Sequence, residues 1–171
     1  MRLAPVASAL VLAVGLSATA AGQKVSMQFD QQADFSAFHT FFVNPGQLTS
    51  KNPALNSDLV RKQIQDEIRK RLSEKGLSEV TSGPRDLNVR FSLGSGRRRE
   101  VDLYPGGWWG PRRIVTAYTE GTLVIDLRDP QEKALVWRAI ASEDKSDAAH
   151  IQSKLDDMVR KSFEKYPPKR P

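Results

Sequence analysis

Apolar residues recur every fourth position from Val60 through Ile64 and Ile68 to Leu72, the spacing that lays one stripe along one face of an α-helix. A helix is therefore predicted from about Ser57 to Lys75. Asp58 at its start and Arg69, Lys70, Arg71 and Lys75 toward its end complement the helix dipole. Gly76 followed by Leu77 predicts a Schellman stop, with Leu77 reaching back toward Leu72. The charges of "RKQIQDEIRKR" read as its solvated face, with Glu67 and Arg71 spaced for an i,i+4 pair. A second stripe, Ile151, Leu155, Met158, Val159 and Phe163, predicts a closing helix from about Asp147 to Tyr166 with Ser146 as N-cap. "PPKRP", residues 167–171, follows as a disordered tail.

Between the helices the period changes to two. Leu87, Val89, Phe91 and Leu93 alternate with Asn88, Arg90 and Ser92, which predicts a strand with one buried and one wet face. "IVTAYTEGTLVIDL" and "ALVWRAIAS" read as an antiparallel hairpin across the turn "RDPQEK", with Leu135 and Trp137 pointing the same way. Earlier, "KVSMQFD" alternates weakly, as an edge strand does, and "ADFSAFHTFFV" supplies a second short strand. "NPGQLTSKNP" reads as a loop from its two Pro and one Gly. The order β-β-α-β-β-β-α predicts an α+β fold, an antiparallel sheet of about five strands with both helices on one face, as a single domain over residues 24–166. Ile64, Ile68, Phe91, Leu123, Ile125, Trp137, Leu155 and Val159 are expected to be buried together.

The N-terminus changes the picture. Arg2, an apolar run from Leu3 to Leu16 and the small residues "SATAAG" read as a secretory signal peptide over residues 1–20, cleaved before Ala21 or, as second choice, before Gln23. The apolar run is about 14 residues against the roughly 20 of a spanning helix, so no transmembrane span is expected after cleavage. What remains is long enough for one self-sufficient core. The chain has no cysteine, which removes disulfides, thiol catalysis and thiolate metal sites. Its formal charge of +6 on an exported protein points to anionic envelope surfaces rather than nucleic acid.

The segments "DFSAFHTFFV", "NPALNSDLVRKQIQDEIRKRLSEKG", "DLNVRF" and "YTEGTLVIDLRDPQEKALVWRAIAS", with a closing helix ending "KYPP", resemble the bacterial envelope family catalogued as domain of unknown function 4136. The resemblance spans nearly the whole mature chain. It is most specific in "GTLVIDLRDPQEKALVWR", where Gly121, Asp126, Asp129, Leu135, Trp137 and Arg138 match the family pattern. Members are mostly described as lipoproteins, and here Thr19 stands where a lipobox Cys would, so the resemblance implies export without a lipid anchor. It brings no activity and no catalytic residues.

Unaided chemistry is sparse. The two histidines, His39 and His150, have no nucleophile or metal motif nearby, and "GSGRRR" lacks the spacing and Lys-Ser/Thr of a phosphate loop. Asp126 with Asp129, Glu143 with Asp144 and Asp156 with Asp157 read as turn, solvated or helix-surface carboxylates. Trp137, beside Leu135, reads as core rather than a stacking platform for sugars. No catalytic residue, metal or cofactor is assigned.

One stretch stands apart. "YPGGWWGPRR", Tyr104 to Arg113, reads as a hairpin tip between the arms "REVDLY" and "IVTAYTEG", its Gly and Pro opposing a continuous ladder. Trp108, Trp109, Arg112 and Arg113, with Arg97, Arg98 and Arg99 from the other arm, form the candidate binding set. The expected role is a non-catalytic, exported envelope protein that binds a protein partner or an anionic lipid or polysaccharide. The alternatives are an enzyme acting on an envelope polymer and an assembly subunit of an envelope complex.

Overall fold

The computed structural model describes residues 23–100, 114–143 and 147–168. Along the chain run β1 (Lys24–Phe29), β2 (Thr40–Val43), β3 (Gln47–Thr49), α1 (Asp58–Glu74), β4 (Ser78–Glu79), β5 (Leu87–Glu100), β6 (Ile114–Asp129), β7 (Ala134–Ser142) and α2 (Ala148–Phe163). All seven strands join one sheet in the order β1-β7-β6-β5-β2-β4, and β3 also pairs β5. The class is α+β, as the order of elements predicts.

The sheet is larger than the expected five strands, and it is mixed. β1, β7, β6 and β5 are antiparallel neighbours, whereas β2 and β3 lie parallel to β5 and β2 lies parallel to β4. The reason is the connection: α1 intervenes between β2 and β5, and a chain that crosses over through a helix returns to the same end of the sheet and pairs in parallel. β3 sits inside the segment expected to be a loop, and a 3-10 turn, Pro53–Asn56, follows at its end. Strands of two to four residues carry too few positions to display a period.

Phe35–Ala37, expected within a strand, is also a 3-10 turn. Asp34 caps it, its carboxylate accepting from the Ser36 N–H at 3.2 Å and the Ser36 hydroxyl at 2.7 Å. Only the second half of that segment becomes β2. Phe35 of the turn packs edge to face on Phe38 just after it and on Tyr166, with ring centroids 5.9 Å apart in each case.

Helix α1 starts where its cap predicts, with the Ser57 hydroxyl accepting from the Val60 N–H at 3.3 Å. It stops in the Schellman pattern, the Leu77 N–H donating to the Leu72 carbonyl at 3.1 Å and the Gly76 N–H to the Ser73 carbonyl at 3.0 Å, with Gly76 at φ 89°. Arg71 donates to Glu67 at 2.6 Å, but Glu67 is buried and does not belong to a solvated face. The N-cap of α2 is Asp147, whose carboxylate accepts from the His150 N–H at 2.9 Å, and not Ser146. Asp and Ser cap equally well, so the sequence alone offers two starts one residue apart. The helix ends at Phe163, three residues before the expected end.

All eight residues expected in the core belong to one buried cluster, joined by both helices and the inner face of the sheet. Leu135 departs from the expectation. The β6–β7 register runs Leu127↔Trp137 and then Arg128↔Leu135, so Val136 is an extra residue, a β-bulge. Val136 and Trp137 both join the helix-side cluster, and Leu135, though buried, lies outside it.

β3 approaches β5 closely at Gly94. A Cβ there would stand 2.5 Å from the Thr49 carbonyl carbon and 2.6 Å from the Ser50 nitrogen, at a φ of +135°. Gly94→Ala is expected to lower stability by about 1–3 kcal/mol, measured by thermal or urea denaturation. An unchanged midpoint would mean that β3 does not sit against this strand.

Candidate functional site

The sheet narrows at one end to a two-stranded ribbon. The last residue of β6 to pair with β7 is Thr122, and the last of β5 to pair with β3 is Gly94. Past them, among the described residues, β5 and β6 pair only with each other, Gly96↔Tyr118, Arg97↔Ala117, Arg98↔Thr116, Arg99↔Val115 and Glu100↔Ile114. The register shifts between Gly94 and Gly96, and β6 carries the extra residues, Gly121 among them at φ 76°. Arg97, Arg98 and Arg99 therefore stand in succession on the ribbon. Trp108, Trp109, Arg112 and Arg113 lie outside the described residues, as do Val101 to Tyr104 of the expected arm.

At the other end of β6 is a cleft of about 500 Å³, bordered by Asp30, Asp34, Asp129 and Glu132 over an apolar floor that includes Phe38 and Val136. Three of the four carboxylates serve their own turns. Asp30 accepts from the Gln32 N–H at 2.9 Å, Asp34 from Ser36, and Asp129 from the N–H groups of Gln131 at 2.7 Å and Glu132 at 3.1 Å. Sequence reasoning missed this cleft because its halves are far apart in the chain. They meet only because Phe29 of β1 pairs with Trp137 of β7. Among the described residues no group of three or more His, Asp or Glu side chains is placed to hold a metal ion.

The residues that match the family pattern are placed for architecture. Asp126 and Arg138 face each other across β6 and β7 and form a bidentate pair, Nε to Oδ1 at 2.7 Å and Nη2 to Oδ2 at 2.8 Å, with both side chains buried. They alternate with Ile125, Leu127, Trp137 and Ala139 of the helix-side core, so the pair lies on the opposite face of the sheet. Trp137 is fully buried, stacked on Phe163 with ring centroids 5.1 Å apart and planes 14° from parallel.

The histidines have different partners. His150 contacts the Glu143 carboxylate through Nε2 at 3.0 Å. His39 is exposed and enters the structure through its backbone N–H, which donates to Asp86 at 2.9 Å. Asp86 also accepts from the Thr40 N–H at 2.8 Å and hydroxyl at 2.9 Å. The backbone donor from His39, helped by Thr40, holds the Asp86 carboxyl below the usual carboxylate range. Asp156 accepts from Gln63 of α1 at 3.0 Å, while Asp157 pairs with Lys161 at 2.8 Å and with Arg160.

A seven-stranded mixed sheet backed by two helices, with a two-stranded ribbon continuing from its central strands, defines a small α+β domain. The family model described as a domain of unknown function, DUF4136, matches residues 25–168, and the chain belongs to that family. A crystal structure of a DUF4136 family protein from Bacteroides thetaiotaomicron is similar at a TM-score of 0.64 and 16% identity, over 85% of this chain and 96% of that one. A PDZ domain protein from Parabacteroides distasonis aligns at 0.53 and 14% identity, over 86% of this chain and 36% of that one. A PelC dodecamer from Paraburkholderia phytofirmans aligns at 0.50 and 12% identity, over 83% and 96% respectively. At these identities the likeness is one of fold. No curated protein matches the sequence. Among the described residues no helix is long and apolar enough to cross a membrane.

Proposed function

We propose that the chain is an exported, non-catalytic envelope protein whose work is binding, and that the ribbon carries its contact with an anionic envelope component. The observation behind this reading is the register that sets Arg97, Arg98 and Arg99 consecutively on a ribbon with no third strand among the described residues. Arginine presents several donors in a planar fork suited to phosphate and carboxylate groups. Each cation near an anionic surface is worth on the order of 1 kcal/mol at low salt. Export rests on the signal-like N-terminus.

The second reading, an enzyme working on an envelope polymer, draws on the acidic cleft. Carboxylates committed to their own turn N–H groups are poor partners for proton transfer, which weighs for binding. The test is co-sedimentation with anionic vesicles at about 50 and 300 mM salt, where screening differs clearly. A variant combining Arg97→Ala, Arg98→Ala, Arg99→Ala, Trp108→Ala, Trp109→Ala, Arg112→Ala and Arg113→Ala serves as comparison. The unaltered protein is expected to sediment at low salt, to release at high salt, and to lose binding in the variant. Equal binding by both proteins, or none by either at low salt, overturns the reading.

A further inference from the structure

Among the described residues the two margins of the sheet are unlike. One is β4, of two residues; the other is β1, six residues in unbroken register with β7. A short edge strand is a common defence against unwanted pairing, whereas a long one without Pro or a bulge is open to another strand. β1 has neither, and its Val25 is one of two large apolar side chains left exposed among the described residues.

The backbone of β1 can be assigned residue by residue. The Asp30 N–H donates to the Val136 carbonyl at 2.9 Å, which continues the β1–β7 ladder past Phe29↔Trp137. Hydrogen-bonded pairs alternate in an antiparallel ladder. Gln28, Ser26 and Lys24 therefore bond toward β7, and Phe29, Met27 and Val25 aim their N–H and C=O groups at the open edge.

We propose that this edge is a self-association surface, on which the β1 strands of two copies pair antiparallel about a twofold axis at Met27. Residues that face the edge can exchange hydrogen bonds only with others that face it, and a centre at Met27 meets that condition. Met27 then pairs with its own counterpart and Val25 with Phe29, apolar opposite apolar on the side of Met27 and Phe29 that packs on the core. Ser26 meets Gln28. Lys24 meets Asp30 at both ends, so the strand's one cation lies opposite a carboxylate, and cross-strand pairs of opposite charge stabilise where like charges oppose. A groove of about 400 Å³ between Val25, Met27, the end of α2 at Lys161 and Lys165 just beyond it leaves room on that side for the partner's apolar side chains. The contact is isologous and closes on itself, giving a dimer and not a filament.

The test is mass by light scattering over a dilution series, with protein expressed from its full reading frame. The unaltered chain is expected to reach twice the monomer mass as concentration rises. Val25→Pro removes a donor that the β1–β7 ladder does not use, so it is expected to keep its circular dichroism and vesicle binding while remaining monomeric. Lys24→Asp alone and Asp30→Lys alone should each weaken the dimer several-fold by opposing like charges. Mixed together they should form a heterodimer, seen by native mass spectrometry, because each charge reversal then meets its complement. A chain that stays monomeric at every concentration, a Val25→Pro protein that dimerises like the unaltered one, or a mixture without heterodimers overturns the proposal.

Discussion

Replacing Trp137 with alanine is expected to lower the unfolding free energy by about 3–5 kcal/mol, the range for removing a large buried aromatic side chain. The indole is fully buried, lies flat on Phe163, and meets the edge of Tyr166 with centroids 5.7 Å apart at 82°. Its loss would open a void where β7 and α2 are joined. Tyr166→Phe makes a control within the same cluster. The Tyr166 hydroxyl is buried without a hydrogen-bond partner among the described residues, and burial pushes its phenol well above the usual tyrosine value. Removing an unpaired buried hydroxyl relieves its desolvation cost, so this variant should match or exceed the parent in stability. Urea denaturation of both reads the result, and a Trp137→Ala protein with unchanged stability would contradict a buried indole.

Asp126→Ala is expected to cost a similar amount, about 3–5 kcal/mol, for a different reason. It leaves the Arg138 guanidinium buried without the carboxylate that holds it at two points. Replacing both residues together, as Asp126→Leu with Arg138→Met, should recover a large part of that loss, since a buried ion pair is often worth little more than apolar residues of similar size. A double-mutant cycle in urea separates the two outcomes. If the double variant is as unstable as the sum of the singles, the pair is not coupled.

Helix positions, the hairpin and the core were legible because each rests on a repeated local signal. The four-residue stripe of α1, the Gly76 stop and the alternation from Leu87 to Leu93 all appear within one element. A strand around Thr40–Val43 was legible from its Phe and Val, but its parallel partner was not, and Gln47–Thr49 was missed because nothing in three residues distinguishes a strand from a loop until β5 lies beside it. The bulge at Val136 was hidden for a related reason. A run such as "ALVWRAIAS" is apolar on both faces, so a one-residue slip leaves no mark in the pattern. Of the candidate site, the arginine run and its hairpin arm were visible. The acidic cleft was not, because its carboxylates come from turns brought together only by pairing of the sheet's outer strands.

The partnership of β1 with β7 also governs when this fold can form. Among the described strands β1 is the first to be synthesised, and its partner β7 is the last. Until β7 is available, the first strand has nothing to pair with, and its contacts carry the largest loop-closure cost in the domain. A nascent chain therefore remains without its completed sheet through nearly all of its synthesis, and β1 gains its partner only after every other strand has emerged.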